Sequence, residues 1–169
     1  TGGSLGGLLR FRDEVLDESH NALGRVAIGM AEYFNAEHRT GMDYDGDLGG
    51  NFFSALQPTP ASANKGNASG SAVTLGFADV SALTTHEYQL SYDGSAWSMR
   101  DLNTGRVVSL SGTGSAADPL VGDGISITVV AASAGDSYRL RPTREAAADI
   151  GVLVNNARDI AAAEAVLAS

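Results

Sequence analysis

The chain of 169 residues contains no cysteine, and that one absence removes disulfide staples, thiol nucleophiles and cysteine-ligated structural zinc together. Cations are scarce as well: Lys and Arg number 11 against 20 Asp and Glu, for a net charge of -9, and Lys65 is the lone lysine. With no cluster of basic residues there is nothing to neutralise a phosphate backbone, so nucleic acid is excluded as a partner. No apolar run reaches the 18 residues a membrane span needs, and membrane insertion is not expected. Glycine is plentiful (21) but proline is not (4), and together they stay below the share that marks a disordered chain. The chain opens on Thr1 rather than methionine and closes on an alanine-rich tail at Ser169, and is read as a fragment of a longer protein.

Catalytic constellations are equally hard to find. His20, His38 and His86 fall in three unrelated settings without ligand spacing, and each reads as a surface or capping histidine. No G-x-S-x-G elbow occurs. Asp93, Asp101 and Asp123 sit in or beside turns, where aspartate is favoured for conformational reasons. The acidic stretch 43–50 approaches an EF-hand, but position 6 is Leu48 and position 12 is Ser54, so it reads instead as a turn closed by Asx-type hydrogen bonds. No enzyme activity, metal or cofactor is expected.

What the chain does have is a helical stripe over residues 5–41. Leu9, Leu16, Leu23 and Met30 recur every seven residues, with Leu8, Val15 and Ala22 beside them and Val26, Ala27, Tyr33 and Phe34 completing the face. A seven-residue period keeps one seam aligned along a partner helix. Leu9, Leu16, Leu23, Met30 and Phe34 are therefore the candidate assembly interface, a ridge that needs helices this chain does not supply. Ser4 and Asp17 are expected N-caps, with one helix or two meeting near Asp17. His38 and Arg39 are expected to oppose the dipole at the C-terminus, with Gly41 in the left-handed position. Gly24 and Gly29 each cost a helix about 1 kcal/mol against alanine, which close approach of a neighbouring backbone would explain. Phe52, Phe53 and Leu56 are expected to staple the acidic turn to the rod.

After a polar stretch at 58–71, read as a linker, the period becomes two. Tyr88, Leu90 and Tyr92 alternate with Gln89 and Ser91. Asp93-Gly94 predicts a two-residue type I′ hairpin with Leu90 opposite Trp97 and Tyr88 opposite Met99. A turn at Asn103-Thr104 then sets Met99 opposite Val108 and Asp101 across from Arg106. Further alternation at Ile125, Ile127 and Val129, and at Tyr138 and Leu140, completes an antiparallel sandwich or barrel that Pro142 ends. A strand is expected at 149–154, a turn at Asn155-Asn156 and a helical turn beyond. The fold class is α+β: a helical rod segment with an acidic turn (1–57), a linker (58–71) and an antiparallel β domain with a short C-terminal helical segment (72–169).

The residues Gly3-Ser4-Leu5-Gly6-Gly7-Leu8-Leu9-Arg10-Phe11-Arg12-Asp13, Val15-Leu16-Asp17, Asn21-Ala22-Leu23-Gly24-Arg25 and Phe34-Asn35-Ala36-Glu37-His38, with Gly41, Asp43, Gly46, Gly49-Gly50 and Phe52-Phe53, resemble the flagellar hook-associated protein 1 family of bacteria. Asp123-Gly124-Ile125, Gly135-Asp136 and Arg141-Pro142-Thr143 carry the likeness through the sheet region. That family often has proline after the aspartate matching Asp17, where this chain has Glu18, so one signal for a helix break is missing. The resemblance implies a structural subunit of the junction between hook and filament, exported by the flagellar type III apparatus and assembled outside the cell. It implies copies of the same protein, the hook protein and the second junction protein as partners, and an export chaperone acting on segments outside this chain. A surface adhesin or carbohydrate-binding module, with Trp97 on its binding face, is the alternative.

Overall fold

The computed structural model describes residues 3–11, 15–68 and 70–164. It has helices α1 (Ser4–Phe11) and α2 (Asp17–His38), a short strand β1 (Gly41–Met42), eight strands of a two-layer sheet domain, a four-residue helix α3 (Ala146–Asp149) and a returning strand β10 (Ala163–Glu164). The sheet strands are β2 (Ser62–Ala63), β3 (Ala72–Phe77), β4 (Tyr88–Tyr92), β5 (Trp97–Asp101), β6 (Val107–Val108), β7 (Leu120–Gly122), β8 (Ile125–Val130) and β9 (Ser137–Leu140). They form one five-stranded sheet in the order β2-β9-β4-β5-β6 and one three-stranded sheet in the order β3-β8-β7, with every pairing antiparallel. The class is α+β.

Alternation decides the core. Tyr88, Leu90, Met99, Val108, Tyr138 and Leu140 from the larger sheet meet Leu75, Leu120, Ile125 and Ile127 from the smaller, and α2 adds Ile28 to the same cluster. The strands β4, β5, β8 and β9 thus bury one face of the pleat and turn the other outward, as period-two sequence requires. Trp97 lies half-buried against this core, with its ring 4.9 Å from that of Tyr92 and 6.3 Å from that of Tyr138.

The two Asp-Gly dipeptides of the sheet domain behave differently. Asp93-Gly94 does not close a two-residue loop: Tyr92 pairs with Trp97 and Leu90 with Met99, leaving residues 93–96 as a four-residue turn. The cause is the Asp93 carboxylate, whose Oδ1 accepts the N–H groups of Ser95 and Ala96 at 2.7 and 2.8 Å and caps the wider loop. Because the register moves by two residues, the expected faces survive. The tight hairpin forms instead at Asp123-Gly124, where Gly122 pairs with Ile125 and both turn residues have positive φ (+47° and +80°), as a type I′ turn demands. The β5–β6 register is as expected, with Met99 opposite Val108 and the Asp101 N–H bonded to the Arg106 carbonyl at 2.8 Å.

Residues 58–71, expected to be a linker, are docked on the sheet. Ser62 and Ala63 pair with Arg139 and Tyr138, and the Asn67 side chain exchanges two hydrogen bonds of 2.9 Å with the backbone of Ser137. The Asp136 carboxylate accepts from Ala68 N–H at 2.8 Å, Ser71 Oγ at 2.6 Å and Ser133 N–H at 2.8 Å. Polar composition there reflects side chains that replace ladder bonds, not a free tether. The strand expected at 149–154 is reduced to a single bridge between Phe53 and Val152, because Asp149 ends α3. A 3-10 turn at Ala157–Asp159 does follow Asn156, whose side chain caps it. Of the alanine-rich end, Ala163 and Glu164 pair with β1 rather than forming helix.

Asp136 is buried, and these bonds, led by the Ser71 hydroxyl and then the Ala68 and Ser133 amides, hold its carboxyl below the ordinary aspartate range. A depressed folded-state value contributes stability that is complete above the unfolded aspartate value, about 3.9, and is lost as pH falls through the lower folded value. Urea unfolding measured across pH should therefore show an acid slope below about pH 4. Asp136→Asn should flatten it and loosen residues 62–71, seen as faster amide exchange at Ala68. An unchanged slope in that variant would refute the assignment.

Candidate assembly interface

Helix α2 presents two stripes of the same period and opposite chemistry. Asn21, Gly24, Ala27, Ile28, Ala31, Asn35 and His38 are buried, at spacings of three and four residues. Apart from Ile28 and His38 they are small or amide-bearing, and at Gly24 the sheet domain's exit segment comes close. A Cβ placed on Gly24 would stand 1.6 Å from the Thr143 carbonyl oxygen. Gly29 has open space around it, so close approach accounts for one of the two helical glycines and not the other. Ala27, expected on the leucine face, belongs to this opposite stripe at 6 % exposure.

Polar ties fix the rotation of the helix. The Arg25 Nε donates to the Leu83 carbonyl at 2.6 Å. Asn35 Oδ1 accepts from the N–H groups of Phe52 and Phe53 at 2.9 and 2.8 Å, while its Nδ2 donates to the Phe53 carbonyl at 3.0 Å. Asp17 is not an N-cap. Leu16 holds that position with helical backbone angles, and the Asp17 carboxylate pairs with Arg144, whose guanidinium is held even more firmly protonated by that bond. Ser4 likewise opens α1 rather than capping it, since the Gly3 carbonyl accepts the Gly7 N–H at 3.0 Å.

With that face turned inward, the leucine stripe faces out. Exposure is 43 % at Leu9, 41 % at Leu16, 59 % at Leu23, 48 % at Met30 and 46 % at Phe34, and Leu5, Leu8, Val26 and Tyr33 are exposed still further. Leu16 sits at the N-cap of α2, Leu23 and Met30 follow along the helix, and Leu9 lies on α1. Phe34 sits at the edge of the stripe and turns partly to Phe52 and Phe53, with ring centroids at 4.8 and 5.4 Å, the staple foreseen for the acidic turn. The signal missed in the sequence is the inner stripe, which has the same period but almost no hydropathy.

The C-terminal end of α2 differs from expectation. Gly41 is extended rather than left-handed, and lies in β1 because a Cβ there would meet the Ala161 carbonyl at 2.4 Å. His38 is buried and not a solvent-facing cation. The acidic turn is closed by Asp43 Oδ1, which accepts the N–H groups of Asp45 and Asp47 at 2.9 Å each.

Other polar sites read as structural. Asp101 is fully buried. Burial would raise its carboxyl, but the Thr104 amide and hydroxyl, His86 and the Asn103 amide outweigh that and hold it below the ordinary range. His86 Nδ1 lies 2.7 Å from Asp101 Oδ2. A cleft of about 500 Å³ runs between α2, residues 51–56 and the corner at 77–81, lined by Ile28, Tyr33, Leu56, Phe77 and Arg39 among others. Among the described residues no cluster of three or more histidines and carboxylates could hold a metal, and no helix is long and apolar enough to cross a membrane.

Gly24→Ala should cost about 3 kcal/mol or more, because backbone on both sides must yield. Gly29→Ala should stabilise by up to about 1 kcal/mol through helix propensity. Chemical denaturation of the two variants checks the difference, and equal effects would contradict the close approach at Thr143.

Two family models match the chain. Residues 1–53 match the flagellar hook-associated protein FlgK helical domain, and residues 62–142 match the D2-like domain of flagellar hook-associated protein 1. Flagellar hook-associated protein 1 of Escherichia coli (strain K12) is 36% identical over 165 residues, covering 95% of this chain and 29% of that protein. Its counterpart in Salmonella typhimurium is 37% identical over 163 residues, with the same two coverages. The solved flagellar hook junction protein FlgK from Burkholderia pseudomallei superposes with a TM-score of 0.84 at 35% identity, over 96% of this chain and 29% of that one. The chain thus spans less than a third of the length of these relatives and carries both the helical segment and the sheet domain within it, and it belongs to the flagellar hook-associated protein 1 (FlgK) family.

Proposed function

We propose that this chain is part of a structural subunit of the bacterial flagellum, placed at the junction between hook and filament and joined to its neighbours through lateral helix packing. The observation that carries the reading is the exposed seam of Leu16, Leu23 and Met30 on a helix whose opposite face is already occupied by the sheet domain. Burying such side chains stabilises by about 1.5–3 kcal/mol each, which an isolated chain forgoes and an assembly recovers. Leu9 on α1 extends the seam toward the N-terminus, and Phe34 forms its far edge. Copies of the same protein are the lateral partners in this reading. The hook protein and the second junction protein lie at either end, and the export chaperone acts on segments outside this chain. The sheet domain points outward as a solvated module, in keeping with the net charge of -9.

This role places the protein on the cell exterior after export through the flagellar apparatus, and requires no catalytic group. Half-burial of Trp97 between Tyr92 and Tyr138 favours a packing role for that residue over an open sugar-stacking platform.

Leu23→Asp and Met30→Asp, made in the full-length protein, should reduce incorporation into the hook–filament junction at least about tenfold. In this chain alone the same changes should shift unfolding by about 0.5 kcal/mol or less, as at other exposed positions. Normal incorporation of both variants would overturn the assembly role of the seam. Strong destabilisation of the isolated chain would mean the seam is covered from within.

A further inference from the structure

The end of α2 is closed by a residue that the outward seam does not use. His38 is the last residue of α2 and is 4 % exposed. Its Nε2 lies 3.0 Å from the backbone N–H of Ala161, which can only donate, so Nε2 carries the lone pair. Its Nδ1 lies 2.8 Å from the Gly50 carbonyl, which can only accept, so Nδ1 carries the proton. Both bonds are made at once by one species, the neutral Nδ1–H tautomer.

The described charged side chains on the elements packed against the ring are exposed or engaged elsewhere. On α2, Glu37 is exposed and its backbone carbonyl accepts from the Thr40 hydroxyl, while Arg39 reaches Asn51 Oδ1 at 2.6 Å. On the adjoining turn, Asp43 binds the amides of residues 45 and 47, Asp45 pairs with Arg158, and Asp47 is exposed. On the returning segment, Arg158 lies over the Tyr44 ring at 4.1 Å and Asp159 is exposed. Among the described residues no carboxylate pairs with the imidazole. Its remaining neighbours are the rings of Phe34 and Phe52, at 6.3 and 5.4 Å. The packing leaves no slack: a Cβ on Gly49 would stand 2.5 Å from the Ala161 Cβ and 2.9 Å from His38 Nδ1.

We propose that His38 is a protonation-controlled latch, which in its neutral form fastens the returning segment at Ala161, and with it the β1–β10 pair, to the end of α2 and releases both when protonated. A proton on Nε2 turns the acceptor into a donor aimed at another donor, and places a charge in a site with no anionic partner. The register pairs Gly41 with Glu164 and Met42 with Ala163, two residue pairs in all, and a strand pair that short does not persist alone. The sandwich core around Leu90, Met99 and Ile127 does not touch the ring and stays folded.

The test follows the 169-residue chain by NMR from about pH 8 down to about pH 5. Imidazole nitrogen shifts of His38 should report the Nδ1–H tautomer at the alkaline end. Protection factors of the Ala161 and Ala163 amides, corrected for intrinsic exchange, should fall at least about tenfold along the His38 titration, while those of Leu90 and Met99 hold. His38→Gln should show the low protection at both ends of the range, and His86→Gln should leave the transition in place. An Nε2–H tautomer would overturn the proposal. So would Ala161 protection that stays flat while His38 titrates, or that falls together with Leu90. The wild-type titration decides these outcomes even if the His38 variant fails to fold.

Discussion

The contact on which the arrangement depends is between two pieces of backbone: the carbonyl of Thr143, where the sheet domain exits, and the bare Cα of Gly24 in the middle of α2. So close an approach leaves no room for any side chain at Gly24. The stripe facing the sheet domain is built mainly from glycine, alanine and amides, with Ile28 alone reaching into the core. Leu23, Val26, Met30 and Tyr33 lie on the opposite side. The exposed row of Leu23, Val26, Met30 and Tyr33 accompanies this way of holding the helix.

Small residues bury little area, so the inner face is held mainly by directional bonds. Asn35 satisfies two amides and a carbonyl of the segment at 52–53, Arg25 reaches the Leu83 carbonyl, and Asp17 pairs with Arg144. Hydrophobic contact tolerates rotation of a helix about its axis, whereas these bonds do not. A rotation of one residue position, about 100°, would break all of them and carry Leu23 toward the sheet. The polar inner face thus serves as the device that keeps the seam aimed outward.

The outer stripe was legible because leucine at a period of seven is a strong hydropathy signal, and the sheet class because alternation at Tyr88–Tyr92 and Ile125–Val130 is regular. The inner stripe was not, since Asn21, Gly24, Asn35 and His38 have the same period with no hydropathy contrast. Turn geometry was only partly readable. Asp93-Gly94 and Asp123-Gly124 are the same dipeptide, yet Asp93 spends its carboxylate on the next amides while Asp123 pairs with Arg106 at 2.6 Å and leaves the tight turn to the backbone. Local composition also misled at 58–71, where Asn and Ser imitate a linker but bond across to Ser137 and Asp136, partners far away in sequence. At His38 the position at a helix end suggested a capping cation, and the decisive acceptor role comes from Ala161, 123 residues later.

These long-range ties change what kind of object the chain is. A rod and a sheet domain joined by a free tether would move independently, and load on one would not reach the other. Here α2 lends Ile28 to the sandwich core and receives Thr143, Leu83 and Phe53 as contacts along its length. The chain leaves the helix at Gly41 and returns beside it at Glu164. Helix and sandwich therefore have one relative orientation, set by bonds at several points along α2. For a subunit whose seam is covered by neighbouring helices, that rigidity means the direction in which the sheet domain projects is decided by the same contacts that aim the seam. Packing the helices laterally would then array the sheet domains with a defined pitch without any contact between the domains themselves.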